Sequence, residues 1–596
     1  MNKTGGSGMV LRLVLAGQMA LAGPVPTRAA DTADEATAVH VLNRMTFGPS
    51  PQDLAAIRKA GVRAWIDAQL RPSAKADTAL ATRLAPLETL AMGTAELREK
   101  YEIPPNIRQQ IQKARADKDA AEGKNGAGDP GERFEQMTPQ ERRKEREEMT
   151  KKFPELAKLE GTPQRVLAEL QAGKVVRATY AERQLDEVVA DFWFNHFNVF
   201  ARKGPVEFMV GDHERAIRER SFGKFEDLLV AVAKSPAMLY YLDNWQSTDP
   251  NYSPREAARQ QRMAGRGRPG NPQRMGDMMG GNPQPRAGNA RPGQPGQAGQ
   301  PGQPPRRTYG INENYARELM ELHTLGVDGG YTQADVIEVA KAFTGWTILG
   351  EGPGGPRRNK ESHFAFTTAA HVKGDKKVLG VTVKDGGERE GLEILHLLAT
   401  HPSTAKFIAS KLARRFVADA PPKALVDRAA ATFTKTGGDI REVLRTILTS
   451  DEFLGTTYRS AKVKTPLEFV VSAVRATGAD VKNPRPLAEK ISGMGMPLYL
   501  QQPPTGYKDT AEEWVSTTAL LERMNFSLDL AAGRVRGVTV ASSKTGDTLD
   551  TVAARLLPAG LSAKSRETLE AEAKKDPNDP AKLVGLVLGS PEFQRR

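Results

Sequence analysis

The spacing of apolar residues constrains this chain most, and wherever that spacing is regular it is helical. In FEDLLVAVAKSPAMLYYL, residues 225 to 242, Phe225, Leu228, Leu229 and Val232 recur at helical intervals, and Ser235-Pro236 punctuates the run. ADVIEVAKAFTGW, STAKFIASKLARRFVAD and IREVLRTILTSDEF behave alike, each opening near a Ser, Thr or Asp and stopping near a Gly, Pro or Asp. The clearest strand candidate is short, KKVLGVTV at 376 to 383. The expected fold is all-α or nearly all-α: a large multi-helix core with two flexible insertions and at most a few short strands.

The insertions are compositional. Residues 253–305 are rich in Gly, Pro, Gln and Arg and nearly devoid of bulky apolar side chains, so they bury too little surface to offset their ordering entropy. The ten arginines between Asn251 and Thr308, set against Glu256 and Asp277, place +8 of the chain's net charge of +13 in that stretch. The remainder is only weakly basic, so no folded basic face and no nucleic-acid partner are expected. The GxGxxG formed by Gly265, Gly267 and Gly270 follows no strand and is read as chance. Residues 113–158 alternate in charge sign and form the second, charged insertion. Residues 35–596 are read as a single domain that carries both.

Lys3 and Arg12, an apolar stretch from Leu13 to Ala22 and small residues from Thr27 to Ala30 follow the order of a signal peptide over residues 1–30. Export to the periplasm or the cell exterior is the expectation. No later segment approaches the roughly eighteen apolar residues a membrane span needs, so the mature chain is expected to carry none. The absence of cysteine removes disulfides, cysteine-based metal sites and thiol catalysis. Any catalysis must use oxygen or imidazole groups.

Several longer motifs carry a resemblance. DFWFNHFNVF at 191 to 200, KSPAMLYYLDN at 234 to 244, NENYARELMELHTLGVDGGYTQADVIEVAKAFTGWT at 312 to 347 and HPSTAKFIASKLARRFVADAPP at 401 to 422 stand in order. KVKTPLEFVVSAVRATG at 462 to 478, PTGYKDTAEEW at 504 to 514 and SPEFQRR at the carboxyl end complete the set. Together they resemble the bacterial family called domain of unknown function 1800, from about Ala38 onward. One departure is His371-Val372, where the family often reads His-Asp. The resemblance implies an exported protein whose gene neighbour is an exported protein of the phosphatase and sulfatase fold; it implies no established activity.

Catalytic signatures such as GxSxG, Walker A and HExxH are missing from the sequence. The richest polar cluster is NENYARELMELH, where a continuous helix sets Asn314, Arg317, Glu318 and Glu321 on one face. Such a face binds a hard divalent cation or a sugar, or positions a carboxylate for acid–base work. Alternatively it is a surface laced by pairs worth about 0.3 to 0.5 kcal/mol each. Asn312 and Glu313, at the helix entrance, are grouped with it. His323 lies about 200° around such a helix from Glu321 and reads as a packed core histidine or, alternatively, a ligand. DGGYTQAD imitates half a calcium loop but is explained by a capping box from Thr332 to Asp335.

Asn195 and His196 sit among aromatic residues and need polar partners. Asp243 and Asn244, at a helix end, are placed to join them. The expected centre therefore lies where the helix from Asn312 to His323 meets Asn195 and His196. Glu318 and Glu321 are the acid–base or cation-binding candidates, Arg317 orients an anion or pairs with a carboxylate, and His196 transfers protons. Two functions stay open: a binding or assembly partner of the exported phosphatase/sulfatase-like protein, or a hydrolase acting on an envelope or extracellular polymer.

Deleting residues 253–305 is expected to leave the melting temperature nearly unchanged. A fall of more than about 8 °C, beyond what 1 to 2 kcal/mol produces in a domain this large, would show that the segment packs on the core.

Overall fold

Local signals set the helix boundaries. Ser50 with Asp53, Thr332 with Asp335 and Thr465 with Glu468 form reciprocal capping boxes, each satisfying two main-chain N–H groups that a helix start leaves unpaired. His401 caps the next helix by accepting the Ser403 N–H on its ring nitrogen. The computed structural model describes residues 35–121 except 74, a few positions between 144 and 159, and residues 161–253, 310–349, 362–540, 547–575 and 579–596. Residues 1–30, read above as a signal peptide, the insertion beyond residue 253 and most of the charged insertion lie outside them.

The helices used below are α1 (Glu35–Met45), α2 (Pro163–Tyr180), α3 (Gln184–His196), α4 (Val206–Arg220), α5 (Phe225–Ala233), α6 (Glu313–Glu318), α7 (Gln333–Ala342), α8 (Glu388–Thr400), α9 (Pro402–Phe416), α10 (Pro466–Thr477), α11 (Thr517–Ala531) and α12 (Pro580–Gly589). The fold is nearly all-α. Strands occur, among the described residues, as three two-stranded antiparallel pairs: Trp346–Ile348 with Phe364–Phe366, Lys376–Val378 with Val381–Val383, and Asp480–Val481 with Val538–Thr539. The stretch KKVLGVTV is thus a hairpin rather than one strand. Leu379 and Gly380 turn it with φ of 50° and 80°, the signs a tight two-residue hairpin turn demands.

One apolar cluster runs from Ala38 in α1 to Phe593 beyond α12. It joins distant parts of the chain: His40 donates to the Phe453 carbonyl at 2.9 Å, and Arg475 of α10 donates to the carbonyls of Gly48 and Thr179. Residue 463 bridges residue 595 in antiparallel fashion. A smaller cluster packs Phe153, from within the charged insertion, on Ile107 and Ile111. No helix among the described residues is long and apolar enough to cross a membrane.

The segment from Asn312 departs from a straight helix. It is α-helical only through Glu318, and Leu319–Leu325 then forms a π-helical turn. The Thr324 hydroxyl donates to the Leu319 carbonyl at 2.7 Å and meets that of Met320 at 3.2 Å, supporting the wider turn. Asn314, Arg317 and Glu318 keep their helical relation, and Glu321 and His323 fall within the wider turn, where Glu321 stays near enough to raise the Glu318 carboxyl.

Where α8 crosses the first strand pair, Gly391 lets the fully buried Trp346 ring lie against the helix. A Cβ at that position would stand 2.4 Å from Trp346 Cζ2. Gly391→Ala is therefore expected to lower stability by about 1 to 3 kcal/mol despite its better helix propensity, measured by urea denaturation. An unchanged or raised midpoint would contradict this packing.

Candidate functional site

Asn195 and His196 are neighbours on α3, and successive helical residues point about 100° apart. They diverge accordingly. The Asn195 side chain donates to the Tyr507 carbonyl and accepts the Tyr507 N–H, both at 2.8 Å. A Cβ at Gly506, where φ is +69°, would lie 2.2 Å from the Asn195 carbonyl oxygen, so the close approach requires glycine. Asn198 donates to the carbonyls of Gln501 and Pro503 at 2.9 Å, and the Tyr241 hydroxyl donates to Gln502. The amides of DFWFNHFNVF thus hold the main chain of residues 499–507.

That loop closes a small cleft, partly open to solvent. Its aromatic lining is Phe192, Phe194, Tyr499, Tyr507 and Trp514; its charged lining is Lys174, Asp191, Arg415, Glu468, Lys508 and Asp509. Lys174 pairs with Asp191 at 2.5 Å and lies over the Phe194 and Tyr499 rings. Glu468 pairs with Arg415 at 2.7 Å and with Arg596 at 3.0 Å. Burial alone would raise the Glu468 carboxyl, but Arg596 and Arg415 hold it down at about 2. Three buried polar atoms at this cleft have no hydrogen-bond partner: Trp514 Nε1, Arg415 Nη1 and Glu468 Oε1. The last two are close enough for an ion pair yet not aligned for a hydrogen bond.

Five of the motifs singled out in the sequence meet here. Asp191, Phe192, Phe194, Asn195 and Asn198 from the first, Arg415, Thr465 with Glu468, and Tyr507, Lys508, Asp509 and Trp514 line the cleft, and Arg596 backs it. A family model described as a protein of unknown function, DUF1800, matches residues 40–595. The chain belongs to that family. No curated protein and no solved structure matched it.

Of the residues the sequence nominated, Asn195 alone lines this cleft. His196 lies on the far side of α3, 2% exposed, donating to the His323 carbonyl at 3.1 Å. The two histidine rings are 6.2 Å apart and pack with Phe197. The two segments therefore meet, but through a buried imidazole and a main-chain oxygen. Asn312 caps α6 and donates to the Leu242 carbonyl. Arg317 donates to Gln333, which donates to Glu313, at the surface. Asn314 gives its main-chain N–H to the Asn312 cap.

Asp243, at φ 60°, pairs with Lys203, while buried Asn244 donates to the carbonyls of Phe343 and Trp346. Glu318 is half-buried; burial and the nearby Glu321 carboxylate push it above the ordinary range, opposed by Arg317. Glu321 accepts from the Tyr331 hydroxyl at 3.3 Å.

Among the described residues, His371, Asp385 and Glu390 have the spacing to hold a metal ion. Glu390 is already saturated: one oxygen accepts the N–H groups of Gly386 and Gly387 and meets His371 Nε2 at 3.0 Å. The other faces the buried Lys376 ammonium at 2.5 Å. That ammonium already supplies the carboxylate's counter-charge, so these contacts act as a structural clasp. The residues that line the cleft were present in the motifs but not distinguished within them. Lys174, in the middle of α2, carries no signal at all.

Four buried histidines are held below the usual imidazole range chiefly by burial: His40 and His323 to about 3, His213 to about 4, and His196 well below that range. Each is neutral when folded and charges near 6.5 when unfolded. The stability they give is complete above that pH and is lost as pH falls from about 6.5 toward 4, at up to about 1.4 kcal/mol per pH unit each. The raised carboxyls Glu207, at about 7, and Glu318 oppose them. The urea midpoint is expected to fall between pH 7 and pH 5, before ordinary carboxylates titrate; a level or rising midpoint would contradict the neutral buried imidazoles.

Proposed function

We propose that this protein is an exported binding protein, that its ligand occupies the cleft closed by residues 499–507, and that it works beside an exported partner of the phosphatase and sulfatase fold. The observation that carries the reading is Trp514 Nε1, a buried donor at the cleft with no acceptor, since such a donor is costly and a ligand supplies the acceptor. Aromatic rings beside amide and charged groups suit a ligand with both apolar faces and hydroxyl or charged edges, as a saccharide has.

The cleft favours binding over cleavage. Asp191 and Glu468 are both committed to ion pairs, and Glu468 is held ionised, so neither is a ready proton donor. Export rests on the leader-like amino terminus, and the partner on what the family resemblance implies. A second reading, a hydrolase acting on an envelope or extracellular polymer, draws on one observation: Glu318, raised beside Glu321, has the environment of a general acid.

Calorimetric titration of the purified protein with soluble neutral and acidic polysaccharides is expected to show saturable binding without product formation. Asp509→Ala, and Asn195→Ala through release of the loop, should each weaken it about tenfold, which is about 1.4 kcal/mol, with the circular dichroism spectrum unchanged. Depolymerisation abolished by Glu318→Gln would establish the hydrolase instead. Binding that ignores both cleft variants would overturn the cleft reading, and a mature amino terminus at Met1 would overturn export.

A further inference from the structure

Behind the cleft floor the protein buries more positive than negative charge. Arg44, Arg415, Lys462, Lys464, Arg523 and Arg596 are each at most 4% exposed, and all of them surround Glu468, among the described residues the one side-chain carboxylate in the group buried as deeply. Asp419, paired with Lys462, remains one-third exposed. Buried guanidinium N–H groups are left over: Nε and Nη1 of Arg44, the same atoms of Arg523, and Nη1 of Arg596 have no acceptor. An uncompensated buried cation is among the costlier arrangements a fold retains, and its remedy is an anion.

The lysines register the excess. Burial and neighbouring arginines hold Lys464 down at about 7 and Lys462 at about 8. The cleft is the solvent side of this interior, because Arg415 and Glu468 belong to both. The donors at that end are Trp514 Nε1, which has no acceptor, Arg415, whose Nη1 faces Glu468 at 2.7 Å without an aligned hydrogen bond, and the exposed Lys508 ammonium, 3.8 Å from Glu513. Guanidinium and indole N–H groups donate and never accept.

We infer that the ligand carries a tetrahedral oxyanion of the phosphate or sulfate class, whose oxygens accept hydrogen bonds from Arg415, Trp514 and Lys508. The guanidinium fork matches such a group, and the cations behind it supply a field that no exposed pair provides. This rests on the cleft being the ligand site and names the chemistry of what enters it. The group is either a free anion or a substituent on a larger saccharide.

The test is calorimetric titration with sodium sulfate and sodium phosphate, ionic strength held constant by exchange against chloride, followed by sulfated and unsulfated dextran. Saturable binding of at least one of the two inorganic anions is expected. Lys508→Ala and Trp514→Phe, neither of which removes an ion pair from the interior, should each weaken it at least fivefold. If sulfated dextran binds more than tenfold tighter than inorganic sulfate, the anion is a substituent; equal affinity makes the free anion the ligand.

No saturable binding of either anion, or binding indifferent to both variants, overturns the inference. If unsulfated dextran alone binds, and Asp509→Ala weakens it, the cleft reading survives and the oxyanion is wrong. If nothing binds in the cleft, both fall.

Discussion

The Glu468 carboxylate ties together local helix chemistry, tertiary packing and the cleft. One oxygen accepts the Thr465 N–H and so starts α10, while the carboxylate as a whole pairs with Arg415 from α9 and Arg596 from the end of the described chain. A residue whose first role is to satisfy a helix start is thereby also, among the described residues, the one deeply buried side-chain carboxylate facing six basic side chains. Removing one member of such a group strands the others in low dielectric, which makes the arrangement cooperative. The helices that carry it are the ones that shape the cleft.

Much of the fold was legible because its signals are local. The cap at Thr332 and the apolar stripe of α5 need only a few neighbouring residues to be read, and each forms as expected. The hairpin at 376–383 was half legible: the β-forming residues were evident, but Leu379 in a left-handed conformation is rare enough that a turn there was not anticipated. The π-helical turn was not legible either. It is supported by a Thr324 hydroxyl bond, and threonine makes similar bonds within ordinary helices.

The cleft was the least legible part, and the reason is geometric. Its charged groups come from positions 174, 191, 415, 468, 508 and 509, separated by helices whose packing no local pattern encodes. The sequence pointed instead to dense polar clusters, and density misled. Asn312, Arg317 and Asn244 serve caps, surface links and main-chain carbonyls, which are the commonest uses of such side chains. The expectation that Asn195 must find partners was sound; the partner is the backbone of Tyr507 rather than a substrate.

That last attachment has an evolutionary side. Asn195 and Asn198 grip only peptide groups of the loop, so this anchoring does not depend on the side chains at 508 and 509. Positions such as 508 and 509 are free to drift without unseating it. A scaffold fastened in this way lets descendants change what they recognise through a few surface substitutions while inheriting the same frame, and selection on specificity is uncoupled from selection on folding.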